Sequence, residues 1–514
     1  MKRLTKIIVL VSTFFVSSSM AAMDTVTLSI TQANLDILKS HPFTNQDVFT
    51  KFTAGGIVYD SSRTHFRGAY TLLNLIRDTF PQWNYKVKTP PRTSYRGFRE
   101  WNYNYEKEVN QRFMYDIFAR AGVPAVSARH IIFRQKTDNI INYASVYLEY
   151  SDPDNKPWLT TTFGTDSGDL YKCGYDIPDS VRHVADLIIL GENDSDYYLH
   201  YQKKTNNDTL NSRNLDYHTI REFINSLNTV PNENFEAWLK ANFEVEKFIK
   251  YLVITNFAAS WDAYPNRGKN FWLYLNPVNN KWNFIPWDVD ATFGATKDYF
   301  NNIGTTGKIS YMFGNPDWYG SNNAYIHSPT HDDSTMFDPI GEVHDRPLFR
   351  RMMENVNLRA AYVTEYRNAM NTYLKNSTLD LLLDSLGGLL IPSSTYNNSI
   401  TTVKSFLDAR TTNIAKQLSV NEPIAVLTPY ASVQSTQHLE FAYGNNLISY
   451  ENKSNKSLQL TIYDVAGRIQ FSTKVQAMQR GTINRSSLIR GILLYRTMRS
   501  DGVAVYGKLP MALR

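Results

Sequence analysis

Cysteine is nearly absent. One residue, Cys173, stands in a chain of 514, which excludes an internal disulfide framework and leaves stability to buried apolar surface. An excess of one charge is missing too. The formal net charge of +6 is small for this length, and no basic block runs along the chain in the way that tracks a phosphate backbone. Nucleic-acid binding is therefore set aside. After the first two dozen residues no apolar run reaches the roughly 18–20 residues that cross a bilayer, so no membrane-spanning segment is expected in the mature chain. No Gly-x-Ser-x-Gly element occurs, which leaves a hydrolase triad without support. His65, His130, His200 and His218 lack metal-ligand spacing. A glycine-rich phosphate loop is also missing.

What is present begins with an export pattern. Lys2, Arg3 and Lys6 form a basic start, Ile7 to Phe15 is mostly apolar, and small residues lead to Ala21-Ala22. That order predicts a secretory signal peptide over 1–22, and hence a secreted or cell-surface protein. Aromatic residues make up 13% of the chain, enough to build a large core without crosslinks.

The pattern along the chain predicts an α+β protein. Residues 23–62 read as a lead-in segment, 63–420 as the main domain, 421–431 as a linker and 432–514 as a small β-sandwich. Tyr85 to Lys88, His130 to Phe133 and Ser145 to Glu149 have strand character. Helical spacing runs from Tyr105 to Ala121, stopping at Gly122-Val123-Pro124, and again from Asn234 to Ser260. From Leu348 to Leu418 the chain is again largely helical. Asn421-Glu422-Pro423 interrupts that pattern. Short alternating runs such as Leu458 to Tyr463 follow, with turn signals at Ala466-Gly467-Arg468, Arg490-Gly491 and Asp501-Gly502.

The richest segment is Trp261 to Gly294. Asp262 lies just past a long helix. Asn270 to Leu275 and Lys281 to Trp287 are aromatic-rich and flank a turn, Asn276 to Asn280. Folding about that turn pairs Tyr274 with Trp282 and Phe271 with Ile285, and brings Asn270 near Trp287 and Asp288. In an extended segment Asp288 and Asp290 share one face. Carboxylates and an amide carbonyl are hard oxygen ligands suited to magnesium or manganese. One carboxylate kept off the metal could orient an acceptor hydroxyl, and a protein kinase uses the same parts. Lys86 and Lys88 alternate on one strand face, where either could reach a phosphate.

Phe248 to Gly294 resembles the central motif region of the CotH family of atypical kinase-like proteins. The helix ends in Asn-x-x-x-x-x-Asp, then come Asn-aromatic-x-x-Tyr and Ile-Pro-Trp-Asp-x-Asp-x-x-Phe-Gly. Arg67-Gly68, Tyr85 to Lys88, Val146 to Glu149, Leu170-Tyr171-Lys172 and Tyr201 to Asn206 match further motifs in order. The likeness covers roughly Arg63 to Ala415. It implies a divergent protein-kinase-like fold that uses ATP with magnesium or manganese to phosphorylate a protein acceptor. On that resemblance Asp262 is the catalytic acid, and Asn270, Asp288 and Asp290 hold metal. Arg67, Lys86, Glu149, Lys172 and Lys204 face the nucleotide, with Glu149 able to pair with one of the lysines. Asn110-Gln111 departs from the family's Arg-Asn, and Pro81-Gln82 from its Pro-Lys.

The last 90 or so residues resemble a type IX secretion sorting domain, on Leu460 to Arg468, Leu488 to Tyr495 and Gly507 to Pro510. That resemblance implies that export machinery is a partner. Two rival readings stand beside the kinase-like enzyme. One is an adhesive surface protein on the same scaffold. The other is a carbohydrate-active enzyme, whose paired acids stand roughly 5–9.5 Å apart.

Overall fold

The computed structural model describes residues 23–68, 72, 82–105, 109–176, 182–206, 216–260, 262–294, 346–389, 394–419, 439–443, 447–464, 469–484, 488, 493–499 and 504–509. The expected signal peptide, the linker and the three tail turn signals lie outside these residues. Helices and sheets are mixed in one chain, which divides into two compact units, Met1–Val420 and Asn421–Arg514.

The first unit opens with seven strands: β1 Thr25–Ile30, β2 Val48–Ala54, β3 Ile57–Phe66, β4 Tyr85–Lys88, β5 Glu100–Tyr105, β6 Ala128–Thr137 and β7 Ile140–Tyr150. They close into a barrel in the order β1-β2-β3-β4-β5-β7-β6. Closure depends on β1, which pairs antiparallel with β2 and parallel with β6. Residues 25–62 are thus part of the barrel wall and not a lead-in. They escaped notice because Val26, Leu28 and Ile30 make a weak alternating signal in so short a strand, although all three are buried. Aromatic rings fill the interior. Phe133 packs 4.6 Å from Tyr147, 5.1 Å from Tyr103 and 5.4 Å from Tyr85, centre to centre.

Two helical expectations shift. The first helix is α2, Asn110–Ala121, following a short α1 over Gln32–Ser40, because Tyr105 ends β5. It stops at Gly122, whose φ of 75° is the left-handed cap that glycine favours. After α3, Lys156–Phe163, and α4, His218–Thr229, the long helical stretch is two helices, α5 Asn232–Asn242 and α6 Val245–Phe257. The break is Phe243, extended at φ −143°, ψ 147° and bridged to Trp282.

A second sheet takes the order β9-β8-β10-β11, formed by β8 Asp169–Cys173, β9 Tyr201–Lys203, β10 Phe271–Asn276 and β11 Lys281–Pro286. Helix α6 packs on it through Phe248 and Tyr251, whose rings lie 4.9 and 4.4 Å from Phe284. Four helices follow: α7 Pro347–Glu354, α8 Val356–Asn371, α9 Asn376–Leu389 and α10 Ser394–Ser419. Fully buried Arg410 of α10 donates to the carbonyls of Asn256 and Phe257, capping the end of α6. The Tyr366 hydroxyl donates to Asn256 Oδ1 at 2.8 Å.

The second unit has two antiparallel sheets, one of three strands and one of four. Leu439, Ile448, Leu460, Ile462, Val475 and Ile483 belong to one apolar cluster shared by both. Among the described residues no helix is long and apolar enough to cross a membrane.

Candidate functional site

The hairpin register differs by one residue from the expected one. Phe271 faces Pro286, Trp272 faces Ile285, Leu275 faces Trp282 and Asn276 faces Lys281. The cause is Asn276. Its Oδ1 accepts from Val278 N at 3.0 Å and its carbonyl accepts from Asn280 N at 2.8 Å, so it ends a strand and closes a four-residue turn. The open end still delivers what the site needs, because Trp287 N donates to Asn270 O at 3.0 Å. Asp288 follows directly.

The loop after α6 approaches from the same end. Asn270 Nδ2 donates to Asp262 Oδ2 at 2.8 Å and to the Asp262 carbonyl at 3.0 Å. The amide nitrogen is thereby used up, and Asn270 Oδ1 remains as the ligand atom. Lys269 Nζ lies 3.1 Å from Asp262 Oδ2. Backbone ties fix the loop on three sides: Phe293 N to Ala258 O at 2.8 Å, Ala185 N to Gly268 O at 2.6 Å, and Asn270 N to Gly174 O at 3.3 Å. Gly174 has no alternative residue, since a Cβ there would stand 2.3 Å from Gly268 O and 2.5 Å from Lys269 Cα. The expected departure at Asn110 also has a local use, because its Nδ2 donates to Thr292 O at 2.7 Å.

Asp288 and Asp290 are solvent-accessible and Val289 between them is buried, but Asp288 has φ 50° and the segment is not the extended one expected of the pair. Both carboxyls are pushed above the usual carboxylate range, first by the protein that encloses them on most sides. Asp262 adds to the rise at both, and Asp288 adds to it at Asp290. These three acids therefore share one neighbourhood. Four non-glycine residues of positive φ border it: Ala259 at 51°, Asn270 at 62°, Asp288 at 50° and Phe293 at 53°. Such backbone is costly for alanine and phenylalanine and concentrates at functional sites.

The barrel contributes cations. Arg67 donates to Tyr150 Oη at 2.7 Å and to Asn104 Oδ1, and its charge reaches Asp152 and Asp288. Tyr150 in turn packs 5.5 Å from Trp287. Lys86 is bound to Asp152 at 2.6 Å and to Glu100 at 3.1 Å. Lys172 and Lys204 differ, since among the described residues neither side chain makes a hydrogen bond or ion pair. Burial and then Lys204 bring the half-buried Lys172 down to about 8, with Asp152 and Asp288 pulling the other way. Lys204 is lowered by burial, and Lys86 adds to that.

Glu149 is not brought to this group. It is wholly buried and pairs with Arg129 at 2.5 Å, on the opposite face of β7 from Tyr150. Asp152, two positions past the strand end, holds Lys86, one of the lysines that Glu149 was expected to be able to meet. Burial resists ionisation of Asp152, but Lys86 and Arg67 outweigh it and keep the carboxyl low. Asp154 goes the other way, raised to about 6 by burial and by Asp152. Asp152, Asp154 and Lys269 were all missed. Ser151-Asp152-Pro153-Asp154 directly after an aromatic strand was the available signal, and Lys269 adjoins Asn270.

The acidic group fits a hard cation. Among the described residues no three or more His, Cys, Asp or Glu side chains are grouped as a metal cage. Two accessible carboxylates and the Asn270 amide oxygen are instead the donor types of magnesium or manganese sites, which take one or two protein carboxylates plus substrate phosphates.

A family model described as CotH kinase protein matches residues 64–420. Inner spore coat protein H of Bacillus subtilis (strain 168) is 25% identical over 233 residues, 45% of this chain and 58% of that protein. Invasin CotH2 of Rhizopus delemar is 41% identical over 70 residues, 13% of this chain and 11% of the invasin. Invasin CotH3 of the same organism is 23% identical over 168 residues, 32% and 23% of the two chains. The chain thus spans 58% or less of each of these relatives. Among solved structures, a HipA, HipB and operator DNA complex of Shewanella oneidensis MR-1 aligns over 76% of this chain and 80% of its own. At 8% identity and a TM-score of 0.27 that likeness is too loose to assign anything.

Proposed function

The chain belongs to the CotH kinase protein family, and from that premise we propose that it is a phosphotransferase moving the γ-phosphate of ATP to a protein acceptor. The observation that carries the proposal is the opposition of two charge groups. Asp262, Asn270, Asp288 and Asp290 gather at one end. Lys172 and Lys204, without a hydrogen bond or ion pair among the described residues, face them together with Arg67 and the Lys86–Asp152 pair, and Arg67 and Lys172 act on Asp288. A triphosphate is the ligand class that suits both. Asn270 Oδ1, Asp288 and Asp290 would hold magnesium or manganese, which neutralises phosphate charge when bound. Lys172, Lys204 and Arg67 would hold phosphate oxygens, and Lys86 would serve mainly to fix Asp152. Asp262, oriented by Asn270 and Lys269, would accept the hydrogen of the acceptor hydroxyl. The test is transfer of labelled γ-phosphate from ATP to the protein itself or to a generic acceptor, with manganese or magnesium. Absence of transfer together with absence of nucleotide-induced stabilisation would sink the proposal.

A second reading, an adhesive surface protein on the same scaffold, is favoured by the names of its relatives, an inner spore coat protein and two invasins. They point to a coat or surface location for this chain as well. Residues 432–514 would then be a β-sandwich that addresses the chain to type IX export machinery. Their two antiparallel sheets around one apolar cluster support that reading. Deleting them should leave the product inside the cell and the main unit folded; normal delivery of the truncated chain would refute the sorting role.

A further inference from the structure

Lys269 does not belong to the basic end of the site. It sits in the loop between Asp262 and Asn270, 6% exposed, with Nζ 3.1 Å from Asp262 Oδ2. Its main chain is pressed against Gly174, where a Cβ would come 2.5 Å from Lys269 Cα and 2.8 Å from its Cβ. The main chain at Lys269 is therefore held by close packing, and the ammonium by Asp262.

We propose that Lys269 is the built-in counter-cation of the acidic site, held on Asp262 without metal and passing to a phosphate oxygen when a metal–nucleotide enters. This inference rests on the reading of the site as one for a metal–triphosphate. Its ammonium and the Asn270 amide nitrogen meet on the same Asp262 oxygen, so the cation sits inside the loop that carries both residues. A fixed cation in that place opposes a free divalent cation through simple repulsion. It has the opposite effect on a metal that arrives with phosphates, because each added phosphate oxygen gives the ammonium a new partner. The geometry points to a discriminator that disfavours bare metal and favours metal carried by a nucleotide.

The experiment is manganese binding to the full chain, followed by the fall in free Mn²⁺ signal, for the unmutated protein, Lys269→Met, Lys269→Gln and Lys269→Arg. Lys269→Gln keeps a hydrogen-bond donor for Asp262, so the loop retains a tie if the methionine variant folds poorly. Both neutral variants should bind manganese chloride roughly three- to tenfold more tightly than the unmutated protein. They should bind the manganese complex of a non-hydrolysable ATP analogue roughly tenfold more weakly, and Lys269→Arg should stay near the unmutated values. A purely structural lysine predicts lower melting temperature with no gain in manganese affinity, and that result would overturn the inference. So would absence of manganese binding in every form. The underlying reading fails separately: the predicted reversal without any phosphate transfer would refute the phosphotransferase and leave the role of Lys269 standing. Full transfer activity with manganese affinity blind to residue 269 would do the opposite.

Discussion

Asp154→Asn tests the electrostatics of the basic end without touching the acids proposed to hold metal. Asp154 is raised from 3.8 to about 6, first by burial and then by the neighbouring Asp152 carboxylate, with Lys86 and Lys204 opposing. A raised acid keeps in the folded state a proton that the unfolded chain has released. Its stabilising effect is therefore complete below about pH 4 and is lost as pH climbs through about 6. The shift of roughly two units corresponds to about 3 kcal/mol, an upper figure because Asp152 and Asp154 titrate together. Asparagine has the same shape and no proton to lose. Relative to the unmutated protein, Asp154→Asn should gain up to about 3 kcal/mol between about pH 4 and about pH 7.5, with no further change above. The assay is urea unfolding without metal, followed by tryptophan fluorescence. All nine tryptophans precede residue 421, so the signal reports the first unit alone. Other raised acids such as Asp288 and Asp290 are common to both proteins and cancel in the difference. A stability difference independent of pH would refute the reasoning. A difference of opposite sign would mean that Lys204 and Lys86 hold Asp154 ionised.

Five further substitutions have expected outcomes. Asp288→Asn should lower phosphate transfer by orders of magnitude; its metal-free melting temperature near pH 8 should hold or rise, because burial and Asp262 disfavour that charge. Lys86→Met strips Asp152 of its close partner and should cost roughly 3–5 kcal/mol, whereas Lys172→Met should leave urea stability unchanged or raised while weakening nucleotide binding. Arg410→Met should cost roughly 3–5 kcal/mol in thermal or urea unfolding, by orphaning the last carbonyls of α6. Gly174→Ala should cost roughly 1–2 kcal/mol for its φ of 59° alone, and a larger loss of transfer than of stability would show that the Lys269–Asn270 loop has shifted.

The arrangement of the acidic end was legible in the sequence because its residues lie within one hairpin and one loop. Asp262, Asn270 and Asp288 come together through local folding alone, and even a one-residue error in register left Asn270 opposite Trp287. The basic end was less legible. Lys86, Asp152, Lys172 and Lys204 sit on four separate strands or strand ends, and only tertiary packing decides which of them pair. The family resemblance pointed to Glu149, yet strand alternation turns Glu149 into the barrel toward Arg129. The barrel was the hardest feature to foresee. Its closure depends on parallel pairing of β1 with β6, residues about a hundred apart, which no local pattern encodes.

The energetics of the site argue against a purely structural role. A scaffold gains nothing from Asp288 and Asp290 standing together, because each raises the energy of the other's charged form. Nor does it gain from Lys172, which is half-buried and, among the described residues, gives up solvation without a hydrogen-bonded or ion-paired partner. Positive φ at Ala259 and Phe293 adds backbone cost at the two segments that carry Asp262 and Asp290. Meanwhile the surrounding structure is fully tied down, by Arg410 under α6, Gly174 under Lys269 and Asn110 on Thr292. Unfavourable charge held in place by well-satisfied packing is what a ligand-binding site requires, since the ligand relieves the repulsion that the fold alone must carry. An adhesive protein that kept the fold after losing the ligand would be free to drift toward neutral residues at 172, 288 and 290. Their joint presence here, aimed at one region, is therefore the strongest physical case for a bound metal–triphosphate.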